Sequence, residues 1–467
     1  MTELHALSAV ELGAAYAAGT LSPVDVAQAV ISHRERWEAR LCATWAFDAE
    51  ETLGMARESA LRWQQGMARG PLDGVPVTIK ENIATRGTPM PLGSAASLLV
   101  PARADAPPAA RLREAGAVFV GRTTMPDYGM LSSGLSSFHK LTRNPWDLRL
   151  NPGGSSAGAG AAAAAGYGPL HLGTDIGGSV RLPAAWCGVV GFKPSAGRVP
   201  IHPPYTGRVA GPLTRTVADC ALVMATLSQP DTRDATRLPP QAVAWTDLPN
   251  DPHHTLRGLK IALLLHAGWG LAPDADIVAA VHAAAHRFEA AGAQLSLLPG
   301  FTTREMADGI NLFWRMRSWL DISALPAQRQ AQVLPYIRDW VSAGPTFSAA
   351  QVFHGQAQMA ALRDAAVAAT EAFDFVISPV APVSAYAAEA PSPTGDPLRA
   401  MEHIAYTLPF NMSGQPAISV PCAHTAAGLP IGLQITGRLF DDLGVLRVAR
   451  AWEQLRGPLR PWPLPPA

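Results

Sequence analysis

A run of small residues in the middle of the 467-residue chain constrains its fold more than any other feature. Glycines cluster within residues 153–197, which favours close backbone approach over a flexible linker. Residues 157–165 are only alanine and glycine and favour a helix, whereas residues 169–172 suit an extended return. About ten helical residues rise ~15 Å and about five extended residues return ~16 Å. The loops around Ser155 and Ser179 should therefore lie side by side.

Helices and strands alternate along the rest of the chain. Residues 73–80 have the pattern of a turn followed by a short buried strand, and helix–strand alternation recurs around residues 111–120, 258–264 and 373–379. Residues 301–370 are predicted to be helical and carry several aromatic side chains. This alternation predicts an α/β fold, a sheet with helices on its faces, in one continuous domain with a helical insertion.

Composition excludes several classes of protein. Lys+Arg and Asp+Glu both number 37, so the chain has no electrostatic footprint for nucleic acid or for an anionic membrane surface. No run of about 20 strongly apolar residues predicts a membrane span, and the N-terminus lacks the basic region of a signal peptide. Four cysteines, far apart and without a CxxC pair, indicate a reducing compartment, so a cytoplasmic location is predicted.

The segment Gly177-Gly178-Ser179 has a sequence suited to nucleophilic catalysis. Two residues without Cβ let the backbone turn tightly and direct consecutive N–H groups at one point, where they could hold the oxyanion of a tetrahedral intermediate. The serine that follows would attack the carbonyl, provided that a base removes its proton.

Two residues are candidates for that base. His171 is close in sequence but falls within the predicted return strand, and Lys80 ends an apolar strand. A lysine normally keeps its proton at pH 7, but burial disfavours the charged form and can make it a base. The remaining histidines fit no metal spacing, so neither a metal nor a cofactor is predicted.

These residues stand in a series of motifs that resembles the amidase signature family. The motifs are GVPVTIKEN (74–82), TRNPWD (142–147), PGGSS (152–156), GTDIGGSVRLP (173–183), GFKPS (191–195), GPLTRTVAD (211–219), PFN (409–411) and GLPIGLQ (428–434). The resemblance implies a single amidase domain, residues 1–467. Its signature core would comprise residues 70–227 and 373–455, and a variable helical or cap region residues 228–372. The implied fold is a large mixed, mostly parallel twisted sheet flanked by helices.

The resemblance also implies a Ser–cis-Ser–Lys triad. Ser179 occupies the nucleophile position, Ser155 that of the bridging serine after a cis peptide bond, and Lys80 that of the base. Two further sets of residues are implied: oxyanion-hole and substrate-binding groups at Gly129, Ile176, Gly177, Gly178 and the Ser179 N–H, and supporting residues at Asp175, Arg181 and Ser156.

Three other interpretations remain open. Gly154-Ser155-Ser156-Ala157-Gly158 fits the GxSxG nucleophile elbow of α/β-hydrolases, with Ser156 attacking, although the preceding segment is polar and carries two prolines. The chain could be a non-catalytic member that binds a carbonyl ligand. It could also be the glutaminase subunit of a tRNA-dependent amidotransferase, but those subunits carry an acid where this chain has Ile404.

The substrate implied is a small amide or carbamate, which makes a urethanase activity part of the expectation. Apolar candidates for the pocket wall, Met130, Leu131 and Tyr386 among them, favour a neutral or aromatic substrate. Neither nucleic acid nor a membrane is an expected partner, and the sequence leaves a homodimer open.

Overall fold

A computed structural model describes residues 3–466 of the chain and contains one 11-stranded sheet. The strands, numbered along the chain, are β1 (Thr44–Trp45), β2 (Pro76–Lys80), β3 (Val118–Thr123), β4 (Leu170–Asp175), β5 (Val190–Lys193), β6 (Val209–Thr214), β7 (Lys260–Leu263), β8 (Gln294–Leu297), β9 (Phe375–Pro379), β10 (Ala417–His424) and β11 (Pro430–Gly437). In space they follow the order β1-β3-β2-β4-β6-β5-β10-β11-β9-β7-β8.

The sheet is mixed, as predicted, but it is not mostly parallel. Among the described residues only β3-β2, β2-β4, β9-β7 and β7-β8 pair in parallel, and the other six neighbouring pairs are antiparallel. Consecutive strands such as β10 and β11 return directly and must run antiparallel. Parallel pairs occur towards the two ends of the sheet, where helices form the crossovers.

Helices cover the faces of this sheet. They are α1 (Ala9–Ala17), α2 (Pro23–Leu41), α3 (Ala49–Gln64), α4 (Pro107–Glu114), α5 (Ala157–Ala165), α6 (Arg181–Cys187), α7 (Val217–Leu227), α8 (Pro252–Leu256), α9 (Ala275–Ala290), α10 (Arg304–Ser323), α11 (Ala327–Gln330), α12 (Pro335–Val341), α13 (Ala349–Thr370), α14 (Leu408–Met412) and α15 (Asp442–Leu455). No helix among residues 3–466 is long and apolar enough to cross a membrane.

Region 228–372 differs in part from its prediction as a helical or cap region. Its later half is helical from α10 to α13, but its earlier half supplies β7 and β8, which extend the sheet beyond β9 in parallel. The apolar strand pattern at residues 258–264 already indicated β7. The assignment of the whole chain to a single domain stays a prediction.

The predicted helix-and-return unit places two loops together. Helix α5 spans the all-small segment, and β4 runs back beside β2, with Ile79 level with Leu172. Because β2 and β4 are parallel, their carboxyl ends lie at the same edge of the sheet, the edge at which ligands bind in open α/β sheets. The Ser156 N–H donates to the Ser179 carbonyl oxygen (3.2 Å), so the two serine loops are adjacent.

Candidate active site

Lys80, the last residue of β2, is fully buried and its ammonium nitrogen is surrounded by hydroxyl groups. Nζ lies 2.8 Å from Ser155 Oγ, 3.1 Å from Ser156 Oγ and 3.0 Å from Thr174 Oγ1. Thr174 belongs to β4, so the parallel pairing of the two strands sets one of these contacts directly. No carboxylate forms an ion pair with Lys80 in the described part of the chain.

The environment of Lys80 lowers its pKa to about 7, chiefly because burial disfavours the charged ammonium. Three charges modify this pKa: Asp175 and Glu81 raise it, and Arg208 lowers it. Near neutral pH a large share of Lys80 is therefore an uncharged amine that can accept a proton. The sequence alone does not show whether Lys80 is buried, and the structure shows that it is.

Ser155 follows a cis peptide bond between Gly154 and Ser155, at the position that the resemblance implied. Its side chain is nearly buried, and Gly129 packs against it: a Cβ on Gly129 would lie 3.2 Å from Ser155 Oγ. Gly129 also has a φ of +71°, a conformation that favours glycine. Gly129, which was predicted to bind substrate or an oxyanion, is thus a residue whose backbone closely approaches Ser155.

Asp175 braces the loop that carries Ser179. Its carboxylate accepts hydrogen bonds from the backbone N–H groups of Gly178 (2.8 Å) and Val180 (3.0 Å), and it pairs in a bidentate manner with Arg181, at 2.9 and 3.1 Å. Both side chains of the ion pair are fully buried. Burial raises the pKa of Asp175, but Arg181 and the other donors outweigh it and hold that pKa well below the usual range.

Ser179 Oγ makes no hydrogen bond with any residue from 3 to 466, although the residue is only 8% exposed. A direct hydrogen bond between Ser179 and Ser155 is therefore not formed in this arrangement. Catalytic hydrogen bonds are often absent or long without substrate and form only in the complex. The Ser179 hydroxyl thus has no hydrogen-bond partner among the described residues, and its loop lies beside the loop of Ser155.

The N–H groups of the oxyanion loop are not equivalent. Those of Ile176, Gly177 and Ser179 have no acceptor in the described part of the chain, as an oxyanion hole requires. The N–H of Gly178 donates to Asp175 and so is not free in this arrangement, and the assignment of Gly178 to the oxyanion hole stays a prediction. Its φ of +122° is the conformation that turns this N–H towards the carboxylate, and only the folded loop reveals that direction.

Ser156 was considered as an alternative nucleophile and His171 as an alternative base, and both side chains already have hydrogen-bond partners in the fold. Ser156 is fully buried, and its hydroxyl donates to the Thr174 carbonyl oxygen (3.2 Å) while it accepts from Lys80. The segment before it, residues 151–155, belongs to no strand, so the strand context of a nucleophile elbow is missing. His171 is also buried, and burial lowers its pKa to about 3, so it is a neutral structural side chain that contacts Thr78 and Gly168.

Several residues of the site were not predicted as functional. Thr174 Oγ1 accepts hydrogen bonds from both Lys80 and Asn82, and the sequence signal that could have revealed it is its place at the end of a strand parallel to β2. Arg181 is held by side chains and a carbonyl from distant parts of the chain: Thr407, Asn411 and Gln434. Asn411 and Gln434 stand in the PFN and GLPIGLQ motifs, but the spacing of these motifs along the chain does not reveal their contacts with Arg181.

Apolar side chains from two regions of the chain line the approach to the oxyanion loop. A Cβ on Gly177 would lie 3.1 Å from Ile404 Cδ1 and 3.7 Å from the Trp314 ring. Trp314, on α10, packs both with the cluster that includes Ile404 and with the cluster that includes Leu131. The helical region thus contributes one wall beside the loop, and Ile404 presents methyl groups there.

One group of side chains could hold a metal ion, and it lies away from the serines. Glu3, His5 and His33 place their ligand atoms within 4.8 Å of one another. His33 contacts the carbonyl of Ala165 at the far end of α5, whereas Ser155 and Ser156 directly precede the first residue of that helix.

Known proteins are similar to this chain over nearly its whole length. The sequence model of the family described as Amidase matches residues 25–446. An acylamidase from Rhodococcus erythropolis is 34% identical over 99% of this chain and 98% of its own length. A glutamyl-tRNA(Gln) amidotransferase subunit from Anaeromyxobacter dehalogenans is also 34% identical, over 99% and 98%.

Solved structures are similar over nearly the whole fold. A bacterial aryl acylamidase of the amidase signature enzymes superposes with a TM-score of 0.89 at 28% identity, covering 97% of both chains. The 6-aminohexanoate cyclic dimer hydrolase superposes with a TM-score of 0.86 at 25% identity, covering 99% of both chains.

Proposed function

We propose that this chain, which belongs to the amidase signature family, is a serine hydrolase that cleaves amide C–N bonds through Ser179, Ser155 and Lys80. One observation carries the proposal: a fully buried lysine amine, whose pKa burial lowers to about 7, lies 2.8 Å from a serine hydroxyl, beside a second serine whose own hydroxyl has no hydrogen-bond partner among the described residues. Burial of this kind is what makes lysine a base near neutral pH.

Acylation begins when the Ser179 oxygen attacks the substrate carbonyl carbon. The Ser179 proton passes to Ser155, and the Ser155 proton passes to Lys80, which becomes an ammonium. Negative charge develops on the carbonyl oxygen, and the N–H groups of Ile176, Gly177 and Ser179 are free to donate to it. The Asp175–Arg181 pair keeps this loop in place while charge develops, since both groups are already neutralised.

The tetrahedral intermediate then collapses. The C–N bond breaks, the leaving nitrogen takes a proton that Lys80 returns through Ser155, and the acyl group stays on Ser179 as an ester. Water then attacks this ester, and Ser155 and Lys80 again act together as the base. This step releases the acid and restores the Ser179 hydroxyl. The amine of Lys80 is again uncharged at the end of the cycle.

The substrate class follows from the apolar wall. Ile404 and Trp314 lie beside Gly177 of the oxyanion loop, and Tyr386 packs against the apolar cluster that includes Ile404, which suits alkyl or aryl amides. Attack on a carbamate carbonyl resembles attack on an amide, so a urethanase activity is part of the proposal. The names of the acylamidase relative and of the aryl acylamidase neighbour support the amide over the carbamate.

A glutaminase subunit is the second candidate, because an amidotransferase subunit is 34% identical over 99% of this chain. Glutamine carries an ammonium group that an acidic side chain would bind. Ile404 offers only methyl groups beside the nucleophile loop, and this favours the small-amide hydrolase. Incubation with glutamine separates the two, since release of ammonia from free glutamine would favour the glutaminase.

Covalent labelling tests the chemistry. A fluorophosphonate should label Ser179, and Ser179→Ala should abolish both labelling and hydrolysis of a p-nitroanilide panel while the melting temperature stays close to that of the unmodified chain. Ser156→Ala is the matched control, because Ser156 is a neighbouring buried serine with a hydroxyl in contact with Lys80. Labelling of Ser156, or full activity in Ser179→Ala, would contradict the proposal.

A cytoplasmic location belongs to the same proposal. Cys42, Cys187, Cys220 and Cys422 are all free thiols. Burial raises the pKa of Cys187 and Cys220, which keeps those two thiols protonated and unreactive. Free cysteines of this kind are typical of reducing compartments.

A further inference from the structure

Arg208 stands out beside the candidate active site because no acid in the described part of the chain pairs with it. It directly precedes β6, in which Val209 pairs with Asp175, so Arg208 lies level with Ile176 of the oxyanion loop. A side chain connects its neighbour Gly207 to Asp175: Asn411 Nδ2 donates to the Gly207 carbonyl (3.0 Å) and to the Asp175 carboxylate (2.8 Å). Arg208 therefore belongs to the rim of the nucleophile loop.

The guanidinium of Arg208 has no hydrogen-bond acceptor and no ion pair among residues 3–466, and its Nε is shielded from solvent. Asp234 carries the nearest compensating charge, but its carboxylate is already bound to Ile201 and Thr236. A shielded Nε without an acceptor is costly, because this donor loses water and gains no hydrogen bond in exchange.

The charges around Arg208 increase this imbalance. Burial lowers the pKa of Arg208, and so does the like charge of Arg317 from α10, whose own guanidinium pairs with Asp321 (3.9 Å) and stacks over Tyr205 at 4.3 Å. The charge of Arg208 also adds to the lowering of the pKa of Lys80, which burial chiefly causes. Asp175, an acid near Lys80, is fully engaged by Arg181. The surroundings of the oxyanion loop thus combine the unpaired guanidinium of Arg208 with the apolar wall of Ile404 and Trp314.

We infer that Arg208 binds a carboxylate of the substrate, so that the substrate is an amide bearing an anionic group, with alkyl or aryl carbon between the two. A carboxylate matches the planar guanidinium fork and would satisfy donors that the protein leaves open. Ile404 disfavours an ammonium group on the same substrate. This inference rests on the proposed amide hydrolysis and specifies its substrate class.

Three anilides that differ in charge test the inference. Glutaryl p-nitroanilide carries a carboxylate, γ-glutamyl p-nitroanilide adds an ammonium, and pentanoyl p-nitroanilide carries neither. We expect the unmodified enzyme to prefer the glutaryl compound in kcat/KM. Arg208→Gln should lower the glutaryl-to-pentanoyl ratio by about a hundredfold, as loss of one partner of a charged pair does. Arg208→Lys should recover part of that ratio.

The glutaryl-to-pentanoyl ratio of kcat/KM is insensitive to a second effect of Arg208→Gln. Without Arg208 the pKa of Lys80 rises, which slows both substrates equally and cancels in their ratio. Arg363→Gln is the control, since Arg363 is an exposed arginine paired with Asp364. An unchanged ratio in Arg208→Gln would overturn the inference, and so would a ratio that falls equally in Arg363→Gln.

A binding measurement keeps the inference separate from the reaction. By isothermal titration glutarate, the acid released from glutaryl p-nitroanilide, should bind the unmodified chain more tightly than pentanoate, which has one carboxylate fewer, and Arg208→Gln should remove the difference. If Ser179 is labelled by a fluorophosphonate but glutarate binding does not depend on Arg208, only the carboxylate inference fails. If Ser179 is not labelled, the proposed reaction fails, and the titration still decides whether Arg208 binds a carboxylate.

Discussion

Two buried lysines lie at the ends of two strands of the same sheet, and they differ in what surrounds them. Lys80 ends β2 and Lys193 ends β5, and neither has any exposed surface. Burial lowers the pKa of each to about 7. Lys80 Nζ contacts three hydroxyl groups, whereas the hydrogen bond of Lys193 Nζ goes to the carbonyl oxygen of Pro194 (3.0 Å).

The comparison shows that a lowered pKa does not by itself make a lysine a base. A hydroxyl can give up a proton to the amine and take another from a neighbour, but a carbonyl oxygen has no proton to give. Lys193 therefore has a pKa low enough for a base but, among the described residues, no hydroxyl group in contact with it that it could deprotonate. The hydroxyl cluster at Lys80, assembled from β4 and the Ser155 loop, makes the difference.

The largest expected effect comes from exchanging each lysine for a side chain of similar length. Lys80→Met should reduce kcat on a p-nitroanilide by roughly 10²–10⁴-fold or more, because the base is lost. Lys193→Met should keep kcat within an order of magnitude of the unmodified enzyme. Steady-state kinetics and thermal melting of both variants measure this, and equal losses in the two would remove the distinction between them.

The pH dependence should separate the two lysines although their pKa values coincide. Lys80 acts as a base only when it is uncharged, so kcat/KM should rise with pH, with a midpoint near 7, and fall about tenfold per pH unit well below it. Lys193→Met should keep the same midpoint. A midpoint that moved in Lys193→Met would show that Lys193, rather than Lys80, controls the rise.

Stability should respond to Lys193 in a defined pH range. Its pKa falls from 10.5 in the unfolded chain to about 7 in the folded one, so protonation favours unfolding. This penalty is complete below pH 7 and disappears as pH rises to about 10.5, at most about 1.4 kcal/mol for each pH unit. Lys193→Met should therefore gain stability relative to the unmodified chain at pH 7, and the gain should shrink towards pH 10 in chemical denaturation.

The smallest effect concerns the charge next to Lys80. Arg208 lowers the pKa of Lys80, but burial does so more strongly. Arg208→Gln should therefore move the midpoint of the kcat/KM profile of a neutral anilide to higher pH without removing activity. Arg363→Gln, at an exposed arginine, should leave the midpoint in place. A shift to lower pH would mean that Arg208 acts on Lys80 in the opposite sense.

Prediction from sequence succeeded where neighbouring residues determine structure. The all-small segment predicted α5 at its observed bounds, and the extended return corresponds to β4 within a few residues. Family motifs identified Lys80, Ser155 and Ser179, and the structure brings their loops together. The sheet was predicted as mostly parallel, which is wrong, because strand direction in its centre depends on which segments return directly.

What the sequence by itself determined about this protein is its α/β class, its family and the chemical groups at the site, because motifs and periodicity express local geometry. Only the tertiary structure decided which of those groups can react. Burial of Lys80, the turn of the Gly178 N–H towards Asp175 and the unpaired state of Arg208 in the described chain all depend on segments far apart in the sequence. Solvent exclusion and charge pairing are sums over all neighbours in space, and these neighbours exist only after the sheet has assembled.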